Sequence, residues 1–201
     1  MLKKINKPIC KETRTKNLLI AIFAILCLLT SLTGCSKPKI EKPKVTTLTE
    51  YPGVVDDSKV VEITIDDALS FFKDGKTGML LFSRPTCPWC QKALPVLTEV
   101  AKEKQFDVYY VDTEKFENWT ESKAELVGHT EEFLSRDHSI DSEGQLTIYI
   151  PFVVAVKDGK ATDAHIGTVD TDQDYETPMT SEQIEMLREV YIKMAYEGKL
   201  Y

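Results

Sequence analysis

The sequence Cys-Pro-Trp-Cys at residues 87–90 constrains this chain more than any other stretch. An apolar run at residues 79–82 precedes it, and apolar residues at helical spacing follow it from Ala93 to Ala101. This order predicts a buried strand, a tight turn and a helix that packs on the strand. Because residues at i and i+3 share one face of a helix, the two thiols are expected to lie together in its first turn.

The position of each thiol predicts a different chemical role. Cys87 begins the helix, where free N–H groups and the positive end of the helix dipole stabilise a thiolate. Pro88 suits the first helical position, where its missing N–H costs nothing. Cys90 lies one turn further along and is expected to be more buried. One exposed, acidic thiol beside one shielded thiol is the arrangement that thiol–disulfide exchange requires.

These residues, together with landmarks further along the chain, resemble the thioredoxin superfamily. The sequence at residues 87–90 looks like the thioredoxin active site, and Pro95 matches the proline that kinks the active-site helix. Ile150-Pro151 resembles the cis-proline dipeptide, and Gly167 falls where thioredoxins carry a glycine that closes the last hairpin. The resemblance covers residues 59–201.

The resemblance implies an α/β thioredoxin-like fold, in which a central mixed sheet is flanked by helices and a helical insertion precedes the cis-proline. It implies that Cys87 and Cys90 are the catalytic residues and that they form a redox-active disulfide, without any organic cofactor. By the same resemblance, substrates bind around the active-site turn and the cis-proline. The substrate-binding residues implied are Pro88, Trp89, Ile150 and Pro151.

One position departs from the thioredoxin pattern. Thioredoxins carry a buried aspartate six residues before the first cysteine, where this chain has Leu81. That aspartate helps the second thiol to lose its proton. Deprotonation of Cys90 must therefore depend on another group, and Glu62 or water are the candidates.

The segment between the helix and the cis-proline is unusually long. Cys90 and Pro151 are 61 positions apart, whereas a βαβ unit needs about 30 residues. The surplus falls at residues 112–146, where an apolar stripe predicts a helix near residues 121–135. The insertion is either a crossover that only packs or a lid or partner surface beside the active site. In outline it resembles the bacteriocin transport accessory proteins, which are small thioredoxin-like proteins of Gram-positive bacteria.

The first 34 residues have the pattern of a lipoprotein signal peptide. A leader with six Lys and Arg residues precedes an apolar run of twelve residues at 18–29, which is shorter than the about 20 residues of a membrane span. The sequence Leu32-Thr33-Gly34-Cys35 resembles the bacterial lipobox. That resemblance implies cleavage before Cys35 and a lipid on Cys35. An ordinary secretory signal and an uncleaved anchor are the alternatives.

The composition of the remaining chain separates a tether from a domain. Residues 35–58 are rich in Lys and Pro and lack apolar periodicity, which predicts a flexible tether. Residues 59–201 are predicted to form the thioredoxin-like domain. The formal net charge of the whole chain is −7, and removal of the basic leader makes the rest more acidic. We therefore expect no nucleic-acid partner.

The cysteine count limits what residues 87–90 can do. Of the five cysteines, Cys10 and Cys27 would leave with the signal peptide and Cys35 would carry the lipid. The remaining pair could serve redox chemistry, act as a local staple or bind a metal. Zinc would need two more ligands, and the three histidines show no metal-ligand spacing. We therefore expect no metal site.

Together these observations predict an enzyme, a thiol–disulfide oxidoreductase that is lipid-anchored on the extracytoplasmic face of a bacterial cell membrane. Its partners are expected to be protein or peptide thiols and disulfides, the membrane through the lipid on Cys35, and an electron donor or acceptor that the sequence does not identify. The alternative hypothesis is a non-catalytic accessory subunit of a secretion or bacteriocin transport system, with the same fold and a merely structural cysteine pair.

Overall fold

A computed structural model of the chain describes residue 48 and residues 50–115, 119–169 and 174–201. Within this part of the chain there are five strands and four helices, and strands and helices alternate except that β4 is followed directly by β5. In chain order they are β1 (Val60–Glu62), α1 (Ile65–Lys73), β2 (Gly78–Ser83), α2 (Pro88–Lys104), β3 (Val108–Asp112), α3 (Trp119–Arg136), β4 (Phe152–Lys157), β5 (Lys160–Ile166) and α4 (Ser181–Glu197).

The five strands form one mixed sheet in the order β1-β3-β2-β4-β5. Both β1 and β2 run parallel to β3, whereas β4 runs antiparallel to β2 and β5 antiparallel to β4. Asp158 and Gly159, which both have positive φ angles, form the tight turn between β4 and β5. The predicted mixed sheet and hairpin are therefore confirmed.

The sheet separates two apolar cores. Helices α2 and α4 pack on one face, and α1 and α3 pack on the other. Successive residues of β2 point to opposite faces, so Leu81 joins the first core while Leu80 and Phe82 join the second. Every residue of β2 is buried, which explains why the central strand has a continuous apolar sequence.

Side-chain caps fix the starts of two helices. Thr64 caps α1 in a capping box with Asp67, and Thr180 caps α4 in the same way with Gln183. Each threonine hydroxyl accepts a backbone N–H that the helix leaves without a partner. Helix α2 contains Pro95 in its interior, as predicted from the sequence.

The segment before β1 differs from the prediction. Leu48 and Tyr51 are each only 2% exposed and belong to the core beneath α2. The Asp57 carboxylate accepts the backbone N–H of Leu48 at 2.6 Å, and Asp56 pairs with Lys102 of α2 at 2.7 Å. The prediction of a flexible tether up to residue 58 is therefore wrong for its last part. Single apolar residues among polar ones give no periodicity, and only packing against α2 makes them part of the core.

The insertion before the cis-proline is built around α3, which confirms the helix predicted near residues 121–135. Leu126 and Leu134 are fully buried in the second core. At the end of α3, Arg136 donates to the buried carboxylate of Asp163 on β5 at 2.8 Å. Lys193 of α4 reaches the other oxygen of Asp163 at 3.0 Å. One carboxylate thus joins the insertion, the sheet and the last helix.

The predicted signal peptide at residues 1–34, the predicted lipidation site Cys35 and the predicted tether as far as residue 47 lie outside the described residues. Among the helices that the structure describes, none is both long and apolar enough to span a membrane.

The ion pairs of Asp163 predict a pH-dependent contribution to stability. Burial acts to raise the pKa of Asp163, but hydrogen bonds from Arg136 and Lys193 outweigh it and lower the pKa. We expect Asp163→Asn to lower the free energy of unfolding by about 1–3 kcal/mol at pH 7, because two cations lose their buried partner. Urea unfolding of the full-length protein in mild detergent measures this change.

The sign of the pH effect follows from the lowered pKa. The stabilisation is present above the unfolded-state pKa of about 4 and is lost as pH falls through the folded-state value. The difference between wild type and Asp163→Asn should therefore shrink in acid. Glu125→Gln, which breaks an exposed pair with Lys73, is the control and should cost less than about 1 kcal/mol. An Asp163→Asn difference that is equally large at pH 3 and pH 7 would contradict the assignment.

Candidate active site

Cys87 lies where the tight turn after β2 meets the first turn of α2. It is the N-cap of α2, and its sulfur accepts the backbone N–H of Cys90 at 3.3 Å. Pro88 occupies the first helical position and is exposed. The positive end of the helix dipole therefore points at the Cys87 sulfur, as the sequence predicts.

Several groups favour the Cys87 thiolate. A hydrogen bond from the Cys90 thiol lowers the pKa of Cys87, while burial acts to raise it. The backbone N–H groups of Cys90 and Trp89 and the charge of Arg84 lower it further, and the resulting pKa is about 7. Arg84 is exposed and lies 4.0 Å from Glu114, so its charge is partly screened.

Cys90 is the shielded member of the pair. It is 0% exposed, and burial and the hydrogen bond to Cys87 raise its pKa well above the usual range of a thiol. Both cysteines are free thiols in this structure. Cys87 is itself only 6% exposed, so the expectation of an exposed nucleophile needs correction. Cys87 is one of the residues that line a groove.

The cis-proline segment faces Cys87. The peptide bond between Ile150 and Pro151 is cis, as the resemblance to thioredoxins implied. The Cys87 thiol donates to the Ile150 carbonyl, with 3.6 Å between sulfur and oxygen. On the other side, the N–H of Gly167 donates to the Pro151 carbonyl at 2.8 Å. The structure thus brings together the residues predicted at positions 87–90 and 150–151.

A groove of about 450 Å³ opens above Cys87 and is lined mostly by apolar surface. Its size falls within the range of small-molecule and peptide sites. Tyr149, which lies between the insertion and the cis-proline, is one of the residues that line the groove. The lining residues are Arg84, Thr86, Cys87, Pro88, Trp89, Tyr149, Ile150, Ile166, Gly167 and Thr168.

Trp89 both packs against the core and lines the groove. Its side chain is half-buried and packs against the core, and the Lys92 ammonium lies 4.7 Å from its ring centroid. The same side chain lines the groove beside Cys87. It therefore presents an aromatic surface to the groove.

One group that acts on Cys90 was not identified from the sequence. Burial raises the pKa of Cys90, and a hydrogen bond from the Ser83 hydroxyl acts to lower it. Glu62, which the sequence suggested, pairs with Lys115 at 2.5 Å. Ser83 ends the otherwise apolar strand β2, and this buried hydroxyl in an apolar run was the signal that could have identified it.

Metal ligands are not gathered at this site. Across residue 48 and residues 50–115, 119–169 and 174–201, His, Cys, Asp and Glu form no group of three or more that could hold a metal ion.

The strand order, the two thiols at the start of α2 and the facing cis-proline define a thioredoxin-like protein. A family model described as "TraF: F plasmid transfer operon protein" matches residues 55–125, about a third of the chain.

Two solved thioredoxins are similar to this chain at low identity. Thioredoxin O2 from Arabidopsis thaliana in its oxidized state is 16% identical, and the match covers 69% of this chain and 96% of that one with a TM-score of 0.41. For thioredoxin from Aeropyrum pernix the identity is 20%, the coverage 64% and 85%, and the TM-score 0.31.

The two thiols should differ sharply in reactivity. We expect the alkylation rate of Cys87 in the reduced full-length protein to rise with pH around a midpoint of about 7, because only the thiolate reacts. Cys90 should be modified only after denaturation, since it is fully buried. Timed iodoacetamide treatment followed by peptide mass spectrometry measures both rates. Faster labelling of Cys90, or a Cys87 midpoint near the about 8.5 of free cysteine, would contradict this description.

Proposed function

We propose that this protein is a thiol–disulfide oxidoreductase in which Cys87 is the nucleophile and Cys90 the resolving thiol. One observation carries the proposal. The Cys87 sulfur caps α2, accepts the Cys90 N–H at 3.3 Å and has its pKa lowered to about 7. A thiol with this pKa is substantially ionised at neutral pH and remains a good nucleophile.

The proposed reaction transfers two electrons between the cysteine pair and a substrate. The Cys87 thiolate attacks one sulfur of a substrate disulfide, and the other substrate sulfur leaves as a thiolate. Cys90 then loses its proton and attacks the Cys87 sulfur, which releases the second substrate thiolate. The products are a reduced substrate and a disulfide between Cys87 and Cys90. The reverse sequence oxidises a substrate dithiol, and an external dithiol or disulfide partner restores the starting state.

The groove above Cys87 favours an extended protein or peptide segment as substrate. Its apolar lining, with Trp89 and Ile150, suits apolar side chains next to the substrate disulfide. The Ile150 carbonyl, which accepts from the Cys87 thiol, is released when Cys87 ionises. It can then accept a backbone N–H from a substrate strand. A second cavity of about 310 Å³ shares Tyr149 and Ile166 with the groove and lengthens the available surface.

The proposed site of action is the extracytoplasmic face of a bacterial membrane, where a lipid on Cys35 anchors the chain. The support comes from the leader sequence, which combines a basic start, a short apolar run and the sequence Leu32-Thr33-Gly34-Cys35. An oxidising compartment also suits a protein whose cysteine pair exchanges disulfides.

A second candidate function is that of an accessory subunit in a transfer or secretion system. The match of residues 55–125 to a family described as an F plasmid transfer operon protein favours it. In that case the fold would serve as a binding module and the cysteine pair would be a local staple. The two functions predict different consequences of removing the thiols.

Replacement of each cysteine tests the proposed roles. Cys90→Ser should accumulate mixed disulfides with substrate proteins, because Cys87 still attacks but nothing resolves the product. Cys87→Ser should accumulate few. Non-reducing electrophoresis of cells that express each variant measures the trapped species, and insulin reduction by the purified full-length protein measures activity.

The matched variants also separate the two candidate functions. Both single replacements should abolish insulin reduction if the protein is an oxidoreductase. Retention of biological function by the double variant Cys87→Ser/Cys90→Ser, together with an inactive wild type in the insulin assay, would favour the accessory subunit. Trapped complexes on Cys90 in the Cys87→Ser variant would reverse the assignment of the nucleophile.

The anchor is tested by metabolic labelling with a tagged fatty acid. Wild type should carry the label and partition with membranes, whereas Cys35→Ala should carry none, because the lipid is attached to that sulfur. Cys27→Ala lies in the apolar run of the leader and is the matched control, which should be labelled like wild type. Equal labelling of wild type and Cys35→Ala would refute the anchor.

A further inference from the structure

Three buried hydroxyl groups form a hydrogen-bonded chain, which we name the hydroxyl chain. The Tyr51 hydroxyl lies 2.9 Å from that of Ser83 and 3.1 Å from that of Tyr110. All three residues are at most 2% exposed. The rings of Tyr51 and Tyr110 meet edge to face with centroids 6.1 Å apart, so packing fixes the positions of their hydroxyls.

One end of the hydroxyl chain is at the resolving thiol. Burial raises the pKa of Cys90, and a hydrogen bond from the Ser83 hydroxyl acts to lower it. Cys90, Tyr51 and Tyr110 also belong to one buried core. Leu81, which stands where thioredoxins carry a buried aspartate, is two residues before Ser83 on the same face of β2 and pairs in register with Tyr110. The hydroxyl chain therefore lies on the same face of the sheet as Leu81, where the carboxylate is missing.

The other end of the hydroxyl chain reaches a small polar cavity. Tyr51 and Tyr110 line a cavity of about 70 Å³ together with Asp112 and Lys115. A cavity of this size can hold water, which takes about 30 Å³ in the liquid, and it offers several polar partners. Lys115 is exposed, so this end of the hydroxyl chain lies close to solvent.

Cys90 needs such a route because it is fully buried. Among the described residues, the titratable groups that interact with it include Cys87, Tyr51 on the N-terminal segment and Tyr191 on α4. A hydrogen bond from the backbone near Arg84 also favours the thiolate. Burial raises the pKa of both tyrosines, so neither is a base near neutral pH. A protonated hydroxyl can still accept one proton while it gives up another.

Charged groups near the cavity act on Tyr110, at the far end of the hydroxyl chain. Asp112 and Glu62 raise the pKa of Tyr110, to which burial makes the largest contribution. Lys115 pairs with both carboxylates, at 3.3 Å and 2.5 Å. The Tyr110 hydroxyl thus stays protonated beside a carboxylate that lines the same cavity.

We propose that Ser83, Tyr51 and Tyr110 conduct the proton of Cys90 to the cavity at Asp112 when Cys90 resolves the mixed disulfide. This inference rests on the proposed function. Ser83 contacts the reacting thiol, and the two tyrosines are positioning residues that act through Ser83. The hydroxyl chain takes the place of the buried carboxylate that Leu81 excludes.

The proton and the electron pair of the Cys90 S–H bond take different routes. The S–H bond of Cys90 breaks, its proton passes to the Ser83 oxygen, and each hydroxyl gives its own proton to the next. The Asp112 carboxylate or water in the cavity receives the last one. The electron pair left on the Cys90 sulfur forms the bond to the Cys87 sulfur. The bond between Cys87 and the substrate sulfur breaks, and the substrate leaves as a thiolate that takes a proton from solvent.

Stopped-flow reaction with the chromogenic disulfide DTNB separates the two thiol steps. The reduced full-length protein in mild detergent is mixed with less than one equivalent of DTNB at a series of pH values. The first release of aryl thiolate reports the attack by Cys87. The second reports the attack by Cys90 on the Cys87 sulfur. Cys87→Ser gives the background from any other cysteine in the chain.

The variants are Ser83→Ala and Tyr51→Phe, with Tyr191→Phe as the matched control. The Tyr191 hydroxyl is also buried near Cys90, but it makes no hydrogen bond within the described residues. We expect Ser83→Ala and Tyr51→Phe to slow the second phase by about tenfold near pH 7, which is the effect of losing one hydrogen bond to a charged group. The midpoint of their pH profile should move upward, while the first phase stays within about twofold of wild type.

Two different results would overturn the inference. In the first, the second phase keeps its rate and pH midpoint in Tyr51→Phe. This variant retains the ring and its packing, so the test remains decisive even if Ser83→Ala fails to fold. Alternatively, Tyr191→Phe could slow the second phase as much as the two variants do, which would show a general effect of core packing. Absence of the first phase in wild type would instead refute the proposed function itself, so the two failures are distinguishable.

Discussion

The site depends on one junction, where the buried end of β2 turns directly into the N-terminus of α2. Every residue of β2 is buried between two layers of helices, so this strand fixes where the helix begins. The Cys87 sulfur then caps the helix and accepts the Cys90 N–H at 3.3 Å. The same contact that satisfies a free backbone donor also stabilises the thiolate. Fold and reactivity therefore share one interaction.

The two thiols differ because their surroundings differ by a single helical turn. Cys87 meets backbone N–H groups and the groove, and its pKa falls to about 7, whereas burial raises the pKa of Cys90. A thiol that is deprotonated easily can attack first. A thiol that resists deprotonation needs a route for its proton at the moment of reaction. The hydroxyl chain of Ser83, Tyr51 and Tyr110 is the proposed route.

Residues before β1 and next to the cis-proline complete the site. The segment before β1 supplies Tyr51, whose hydroxyl bridges Ser83 and Tyr110. Tyr149, which follows the insertion, lines the groove at Cys87. Helix α3 of the insertion packs on the sheet and is held through Asp163, which is the packing role that one of the two interpretations gave the insertion.

The sequence by itself determined the elements whose signals are local. The apolar run at residues 79–82 and the helical spacing of apolar residues from Ala93 to Ala101 each act within a few residues, and the structure has the predicted strand and helix at these positions. Only the tertiary structure decided which polar groups surround Cys90. The sequence suggested Glu62 as a candidate, but Glu62 pairs with Lys115. Tyr51 comes from a stretch without apolar periodicity. A hydrogen bond between residues 32 or 59 positions apart leaves no periodic trace in the chain, because it arises only when the strands and the packed N-terminal segment come together.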